Sequence, residues 1–243
     1  GYIEPTSAIA WAQTDDKITV WSSTQGTFGI RRSLSDLLEI ALDKINVIPM
    51  EVGGAFGGKI YAILEPLAVT LSRKAGRPVK LVMSRAEVFR ATGPGAPSHI
   101  TVKTGVRKDG TITACYCKLV LDAGAFPGAP VAGASLVGLA PYKSDNLKIE
   151  GYDVITNKPR VQAYRAPGGT PAGFAVEAHM DEVAEKLNID PLKFRMINAV
   201  DEGDRMTNDE IFNRIGLKEV LKSISKHPAW TTPIPPGANR GRG

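Results

Sequence analysis

The feature that most restricts the fold is a glycine-rich segment at residues 53–59, which reads GGAFGGK. An apolar run at residues 47–52 precedes it and predicts a strand, and residues 61–75 follow with the spacing of a helix that ends at Gly76. The glycines leave the backbone bare, so N–H groups can approach a ligand closely, and the next helix N-terminus would favour an anion. The segment therefore predicts either a cofactor or phosphate loop or a tight connection between strand and helix.

Two common phosphate-binding motifs do not fit this loop. A P-loop would need Ser or Thr at the position of Ile60. The dinucleotide fingerprint would need the spacing Gly-x-Gly-x-x-Gly, which this segment does not have. The residues of the loop alone leave both interpretations open.

A second loop rich in glycine and proline lies at residues 163–169 and reads AYRAPGG. Arg165 stands between a tyrosine and a Pro-Gly turn, so it is held in place rather than mobile. Its guanidinium could clamp an anion or orient a substrate. The alternative is an ordinary surface arginine beside a turn.

A later segment with helical spacing carries Glu177, His179, Asp181 and Glu182. His179 pairs at i, i+3 with Glu182 only, so a solvated or interdomain helix face is favoured over a metal site. The other two histidines lack the context of a catalytic triad, and no serine lies in a Gly-x-Ser-x-Gly elbow.

Predicted strands and helices are mixed along the chain. The strands lie at residues 17–22, 47–52, 79–83, 100–107, 111–122 and 147–156. The helices lie at residues 33–44, 61–75, 170–187, 191–197 and 217–224. Residues 108–110 form a hairpin turn, and residues 123–134 are predicted as a loop. This combination favours an α+β fold with mixed sheets, an antiparallel hairpin and flanking helices over a doubly wound parallel sheet.

Two helix starts carry capping signals. Ser84 with Glu87 three residues later has the pattern of a capping box. Asp190 before Pro191 has the pattern of an N-cap with proline at the first helical position. We therefore expect a short helix after Ser84 and another after Asp190.

The length of 243 residues and the apolar fraction of 43% predict a folded chain with a sizeable core. Residues 1–227 are predicted to form one lobe. Residues 228–243 are rich in proline and glycine and are predicted to be a linker or a truncated connection. The missing initiator methionine suggests a fragment or a processed piece.

The net charge of +5 comes from scattered Lys and Arg, which argues against a nucleic-acid partner and suits an anionic ligand. We expect no membrane span, because no run of about 18 apolar residues occurs. No secretion signal is visible, so a cytoplasmic location is the default expectation. Cys115 and Cys117 are predicted to be reduced thiols on one strand face, and two cysteines could not hold a four-thiolate cluster.

Five motifs, taken in order, resemble the large molybdopterin-binding subunit of the molybdenum hydroxylase family, which includes xanthine dehydrogenase and aldehyde oxidase. The motifs are YIEP at residues 2–5, STQG at 23–26, GGAFGGK at 53–59, AYRAPG at 163–168 and EAHMDE at 177–182. The resemblance covers nearly the whole chain. It implies a fold similar to that of the molybdenum-cofactor-binding domain, here the first half of the molybdopterin-binding region.

The resemblance implies roles for individual residues. Gln25 matches a glutamine that hydrogen-bonds an oxygen ligand of molybdenum, Phe56 matches a backbone contact to the metal centre and pterin, and Arg165 matches a loop on another side of the metal. These three form the implied catalytic set. The implied cofactor-binding set is Gln25, Gly26, Gly54, Ala55, Phe56, Gly57, Arg165 and Ala166. The dithiolene of the pterin, and no side chain, would hold the metal.

The resemblance also implies cofactors and partners. The cofactor is molybdopterin with molybdenum, and the cytosine dinucleotide form is left open. A 2Fe-2S cluster and FAD would lie on other chains or domains. The implied partners are the remaining half of the molybdopterin subunit, an iron–sulfur subunit and an FAD subunit, together with a small-molecule substrate. The general-base glutamate of the family would lie in a later segment, so this chain alone should be inactive.

Two positions depart from family members with other substrates. Purine-oxidising members carry a glutamate where this chain has Ile60, and members that oxidise carbon monoxide carry a cysteine where it has Ala166. The expected function is therefore hydroxylation of an aldehyde or aromatic N-heterocycle with water, with electrons passing to iron–sulfur and flavin centres. The alternatives are a non-catalytic scaffold lobe that docks partner subunits and a phosphate- or nucleotide-binding domain. Gln25 and Arg165 favour the first function, since a scaffold would have no need of them and a plain phosphate binder would not need Phe56.

Overall fold

The computed structural model describes residues 1–234. Contacts divide the chain into two compact units. Unit 1 comprises Gly1–Ala96, Asp122–Ala129 and Ile155–Pro167, and unit 2 comprises Pro97–Leu121, Pro130–Val154 and the residues from Gly168 onward. The lobe boundary at residue 227 stays a prediction. Of the predicted linker at residues 228–243, the part from residue 235 onward lies outside the described residues.

Unit 1 contains a four-stranded mixed sheet. Its strands are β1 (Ser7–Ala12), β2 (Ile18–Ser22), β3 (Ile45–Pro49) and β4 (Val79–Val82). They lie in the order β3-β2-β1-β4, in which β1 is antiparallel to both neighbours and β2 is parallel to β3. The last residues of β2 lead directly into the segment that carries Gln25.

The helices of unit 1 are α1 (Thr27–Leu38), α2 (Glu65–Ala75) and α3 (Arg85–Ala91). Helices α1 and α2 contribute Ile30, Leu34 and Val69 to a core shared with Ala10 and Val20 of the sheet. These side chains are fully buried, so they fix the sheet against the two helices. The capping box predicted at Ser84 and Glu87 is confirmed.

A three-stranded sheet contains β5 (Ser98–Val106), β6 (Ile112–Gly124) and β7 (Leu147–Ile155), with β6 in the centre. The predicted antiparallel hairpin is confirmed, because β5 and β6 pair from Ser98 opposite Leu121 onward. The remaining helices are α4 (Val131–Val137), α5 (Gly169–Lys186), α6 (Pro191–Asn198), α7 (Leu217–Ser225) and α8 (Pro228–Thr231). Asp190 caps α6 as predicted, through a bond from the Lys193 N–H. The α+β class is confirmed.

The largest differences from the predicted boundaries lie in α1, α2 and β3. Helix α1 spans Thr27–Leu38 and not residues 33–44, because Ile30 extends its buried stripe toward the N-terminus and Glu39 ends it in a left-handed conformation. Helix α2 begins at Glu65 and not at Tyr61, with Pro66 in the first turn, the position that proline favours. Strand β3 begins at Ile45, two residues before the predicted start.

Three of these elements were not predicted. Helix α8 (Pro228–Thr231) is a single turn in the segment that was predicted as a linker. Strand β1 (Ser7–Ala12) is largely alanine on its buried side and therefore gives a weak β signal. Helix α4 (Val131–Val137) lies in the glycine-, alanine- and proline-rich segment that was predicted as a loop. Its buried Ala134 packs in a core, which the composition of the segment does not indicate.

The buried side chain of Asn198 ties the hairpin turn to α6. Its Oδ1 accepts from the Ile112 N–H at 2.8 Å, and its Nδ2 donates to the Gly110 and Phe194 carbonyl oxygens, each at 2.9 Å. One amide thus satisfies three backbone groups in a buried place.

We expect Asn198→Ala to lower the free energy of unfolding by about 1–3 kcal/mol, because it leaves a buried N–H and two carbonyl groups without this partner. Urea denaturation of the full chain measures the loss. The control is Asn157→Ala at an exposed position, for which we expect a change within about 0.5 kcal/mol. Equal losses in the two variants would contradict the structural role of Asn198.

Candidate functional site

The side chain of Gln25 bridges two loops of unit 1. Its Oε1 accepts from the Gly57 N–H at 2.8 Å, and its backbone N–H donates to the Lys59 carbonyl oxygen at 2.9 Å. Since the carbonyl oxygen of the amide is engaged with Gly57, the group presents its Nε2 hydrogens as donors. Gln25 is exposed, so these donors are accessible to a ligand.

Three positions of the glycine loop have no room for a side chain, because neighbouring protein atoms lie too close. A Cβ atom at position 57 would lie 3.0 Å from the Ala163 carbonyl oxygen, and one at position 58 would lie 2.8 Å from Cε1 of Tyr2. A side chain at position 53 is excluded for the same reason, since its Cβ atom would lie 2.7 Å from Cβ of Glu4. The glycine content therefore reflects close packing of this loop against other segments, which the sequence pattern alone did not distinguish from ligand approach.

The arginine loop contacts the glycine loop through the backbone. The Arg165 N–H donates to the Phe56 carbonyl oxygen at 2.6 Å. The ring of Phe56 lies edge-on to Tyr164 with 6.3 Å between ring centres, and Cζ of Arg165 lies 5.7 Å from the Phe56 ring centre. Phe56 is nevertheless 47% exposed, so the pair presents an aromatic surface beside a cation.

Three residues without glycine's freedom adopt left-handed backbone conformations in these two loops. The φ angles are 51° at Phe56, 40° at Arg165 and 55° at Ala166. A left-handed residue other than glycine, asparagine or aspartate is uncommon, and such strain concentrates at functional sites. The surrounding contacts must hold these conformations in place.

The structure brings the predicted site residues together in unit 1. Gln25, Gly57, Phe56 and Arg165 form a chain of contacts, and Ala166 follows Arg165 directly. The predicted residues that flank this chain are Gly26, Gly54 and Ala55. Gly26 is the N-cap of α1, where a Cβ atom would lie 3.5 Å from the Ile60 carbonyl oxygen, and Ala55 is buried.

The expectation that a helix N-terminus follows the glycine loop directly is wrong. Residues 60–64 separate Lys59 from the first residue of α2. That residue, Glu65, is buried, and its carboxylate accepts from the Ser22 hydroxyl at 2.5 Å and from the Ile63 N–H at 2.9 Å. The start of α2 therefore already holds an acidic side chain, which disfavours an external phosphate there.

Sequence reasoning missed an ion pair behind the site, in which Lys59 is buried and Glu4 is partly exposed. Lys59 Nζ lies 2.5 Å from Glu4 Oε2, and the side chain of Lys59 is 1% exposed. Burial alone would raise the pKa of Glu4. Bonds from the Lys59 ammonium, the Ser23 hydroxyl and the Gly53 N–H outweigh that effect and lower the pKa below its usual value. A lysine inside an otherwise small and apolar loop is the only signal that could have indicated this pair.

The acidic helix face has structural partners within unit 2. Arg195 bonds Glu177 and Asp181, each at 2.7 Å, and Tyr142 donates to Glu177 at 2.8 Å. His179 Nε2 lies 2.9 Å from the Thr104 hydroxyl oxygen. No group of three potential metal ligands occurs within residues 1–234. Glu177 and Asp181 therefore serve to hold α5 to α6.

The two cysteines are free, as predicted, and both are buried. Burial raises the pKa of both Cys115 and Cys117, so neither thiol is activated as a nucleophile.

In the described part of the chain, no helix has the length and hydropathy needed to cross a bilayer.

Comparison with known proteins identifies the family. The family described as "Molybdopterin cofactor-binding domain" matches residues 1–199. The chain therefore belongs to this family, as the sequence motifs indicated.

Named relatives agree with this assignment. The chain is 34% identical over 235 residues to the xanthine dehydrogenase molybdenum-binding subunit of Escherichia coli O157:H7, covering 94% of this chain and 31% of that protein. It is 29% identical over 225 residues to the nicotinate dehydrogenase large molybdopterin subunit of Eubacterium barkeri, covering 91% of this chain and 53% of that protein.

A solved structure of similar fold is the aldehyde oxidoreductase from Desulfovibrio gigas. It superposes with a TM-score of 0.83 at 29% identity, covering 92% of this chain and 25% of that one. The chain thus spans between 25% and 53% of the length of these three proteins.

The residues of the site suit an anionic, oxygen-rich cofactor such as molybdopterin. The groups in the two loops are amide N–H donors and the Arg165 guanidinium, which pair with phosphate and oxo groups. The nearby carboxylate of Glu4 is already engaged by Lys59 and Ser23.

We expect Gly57→Ala to disturb the arginine loop, because the added Cβ would meet the Ala163 carbonyl oxygen at 3.0 Å. Amide hydrogen exchange at Arg165, which donates to Phe56, should accelerate. The control is Gly76→Ala, at a glycine that also has positive φ but has nothing within 4 Å of the added Cβ. The control should lose about 1–2 kcal/mol of stability and leave exchange at Arg165 unchanged. Equal exchange in both variants would contradict the packing role of Gly57.

The lowered pKa of His179 predicts that the free energy of unfolding falls as the pH drops. Burial lowers this pKa below its ordinary value of 6.5; Lys186 acts in the same direction, and Glu182 opposes it. The unfolded chain then binds the proton more readily, so stability falls as the pH drops below about 6.5 toward the folded pKa. In His179→Gln this part of the pH dependence should be absent in urea titrations between about pH 7.5 and pH 5. His99→Gln, at an exposed position, should keep the native profile, and a native profile in His179→Gln would contradict the assignment.

Proposed function

We propose that this chain is the molybdenum-cofactor-binding part of an oxidoreductase that hydroxylates an aldehyde or an aromatic N-heterocycle with water. The observation that carries the proposal is the convergence of Gln25, Phe56 and Arg165 in unit 1, linked by the Gln25–Gly57 and Arg165–Phe56 hydrogen bonds. These are the residues that the family resemblance selects from three separate motifs.

Each residue has a distinct part in binding. Gln25 would donate its Nε2 hydrogens to an oxygen atom of the cofactor, while Gly57 fixes the orientation of the amide. Phe56 and Gly57 would present to the pterin the backbone groups that their own hydrogen bonds leave free, the Phe56 N–H and the Gly57 carbonyl oxygen. Arg165 supplies a positive charge, and Ala166 follows it in a conformation that keeps the loop close to the glycine loop. When bound, the cofactor supplies a metal that takes up two electrons.

In this proposal, the protein raises the reaction rate by holding the site residues in position before the reaction begins. The left-handed conformations at Phe56, Arg165 and Ala166 cost on the order of 1–3 kcal/mol each, and the fold supplies this when it forms. Donors already aimed at a developing charge need no reorganisation during the reaction. This favours a catalytic site over a passive surface.

Two positions support the substrate class. Ile60 is 39% exposed and apolar where purine-oxidising relatives carry a glutamate, so it offers a flat apolar contact and no proton-transfer group. Ala166 has no thiol where members that oxidise carbon monoxide carry a cysteine. An aldehyde or an N-heterocycle needs neither group at these places. The relatives named for nicotinate and for aldehydes match this choice, whereas the xanthine dehydrogenase subunit at 34% identity does not, so the proposal rests on Ile60 and Ala166.

The electron acceptors lie outside this chain in our proposal. Cys115 and Cys117 are buried and too few for a four-thiolate cluster, so we place a 2Fe-2S cluster on another chain or domain. The family resemblance places FAD on another chain or domain as well. The remaining half of the molybdopterin subunit completes the pocket. We further propose that the complex lies in the cytoplasm, and the cytosine dinucleotide form of the pterin stays an open alternative.

The alternatives are less well supported. A phosphate- or nucleotide-binding domain would use the helix after the glycine loop, but Glu65 already occupies the start of α2. A scaffold lobe would have no use for strained backbone at Phe56 and Arg165.

The test uses the complete large subunit with its partner subunits, purified from the native source. We expect about one molybdenum per chain. Gln25→Ala should retain the metal, because the pterin holds it, and should lower kcat by about 10²–10³-fold, the usual cost of a lost donor to developing charge. The control Gln13→Ala, in the turn after β1, should keep native kcat.

Two results would contradict the proposal. A native complex without molybdenum, even after growth with molybdate, would remove the cofactor assignment. Native kcat in Gln25→Ala would remove the site assignment. A substrate panel of aldehydes, N-heterocycles, xanthine and carbon monoxide tests the substrate class, and activity on xanthine alone would overturn it.

A further inference from the structure

Three segments of unit 1 meet behind the candidate site. They are the N-terminal residues 2–6, the end of β2 with residues 22–26, and the glycine loop at residues 53–59. Each segment touches the partly buried ion pair of Glu4 and Lys59. This pair has no place in the proposed chemistry, since neither side chain belongs to the predicted cofactor-binding set.

Glu4 contacts both ends of the glycine loop. At the first end, its Oε2 accepts from the Gly53 N–H at 2.8 Å, and its own backbone N–H donates to the Gly53 carbonyl oxygen at 3.0 Å. At the last end, the same Oε2 lies 2.5 Å from Lys59 Nζ. One carboxylate therefore sets the separation between the two ends of the loop.

Lys59 connects this anchor to Gln25. Its ammonium donates to the Ser23 hydroxyl oxygen at 3.0 Å and lies 4.8 Å from the Tyr2 ring centre. Its carbonyl oxygen accepts from the Gln25 N–H and from the Thr24 hydroxyl, each at 2.9 Å. A shift of Lys59 would therefore move the backbone of Gln25.

The loop also returns to the Gln25 side chain. Gly57 donates to Gln25 Oε1 only two residues before Lys59. Lys59 thus hydrogen-bonds the backbone of Gln25, and Gly57 hydrogen-bonds its side chain. Both hydrogen bonds depend on the position of the glycine loop. Ser23 closes the ring, because its hydroxyl donates to Glu4 Oε2 at 2.6 Å.

We propose that Glu4, Lys59 and Ser23 are positioning residues for the candidate site. Their partly buried charge cluster fixes the glycine loop relative to the end of β2, so that the Gln25 amide is held with its Nε2 hydrogens free for the cofactor. This role rests on the proposed function, because it assigns the cluster to the same site. It concerns only this chain's own residues and can be measured without cofactor.

The test compares two charge-neutral double variants. Glu4→Gln with Lys59→Met removes the pair without leaving an unpaired buried charge. The matched control, Asp15→Asn with Lys17→Met, removes an exposed ion pair of 2.8 Å in the turn between β1 and β2. Ser23→Ala removes one hydroxyl from the cluster and perturbs folding least.

The first readout is backbone amide exchange in the full chain without cofactor. In the Glu4–Lys59 variant, exchange at Gln25 and Gly57 should accelerate about tenfold or more, while exchange at Val20 in the core of β2 stays native. Ser23→Ala should show a smaller acceleration at the same two amides, and the control should show none.

The second readout uses the complete, molybdenum-loaded complex. The Glu4–Lys59 variant should retain molybdenum and lose about ten- to a hundredfold in kcat, because a displaced Gln25 misaligns the site. Its KM should change by less than about twofold, since the lost effect belongs to the reacting centre and not to substrate binding.

Several outcomes would overturn the positioning role. Native exchange at Gln25 and Gly57 in both cluster variants would show that the pair does not hold them. Acceleration at Val20 as well, or failure of both cluster variants to fold, would make the pair a general stability element. Native kcat in the molybdenum-loaded Glu4–Lys59 variant would show that the pair does not position the catalytic site. A native complex without molybdenum would instead defeat the proposed function and leave the exchange result valid.

Discussion

The hydrogen bond from the Gly57 N–H to Gln25 Oε1 is the contact on which the candidate site depends. It joins the turn after β2 to the glycine loop, and it decides which face of the Gln25 amide is presented outward. The Arg165 N–H then joins the same loop through the Phe56 carbonyl oxygen. Residues separated by more than a hundred positions in sequence are thus coupled through one short backbone segment.

Close packing explains why this segment is rich in glycine. A Cβ atom at position 57 would crowd the Ala163 carbonyl oxygen, and one at position 58 would crowd the Tyr2 ring. The neighbouring Phe56 nevertheless adopts positive φ with a full side chain. The fold thus restricts conformational freedom where the loops meet, in keeping with a preorganised site.

Local signals were predictable from sequence, and long-range ones were not. The Ser84 capping box and the Asp190 N-cap depend on residues three apart and are confirmed. The start of α2 at Glu65 was missed although Pro66 is a local signal for it, and the buried bond from Ser22 to Glu65, 43 positions apart, could not be seen in the sequence. The Glu4–Lys59 pair spans 55 positions and leaves no periodic pattern. The site residues were found through motifs, and their mutual contacts required the fold.

The most direct test of this account is an experimental structure of the complete, cofactor-loaded complex. The measured quantity is the distance from Gln25 Nε2 to the nearest oxygen atom at the metal centre. The account predicts a hydrogen bond of about 2.7–3.2 Å, with the Gly57 N–H still bonded to Gln25 Oε1. Cofactor bound away from Gln25, Phe56 and Arg165, with Nε2 far from any of its atoms, would contradict it.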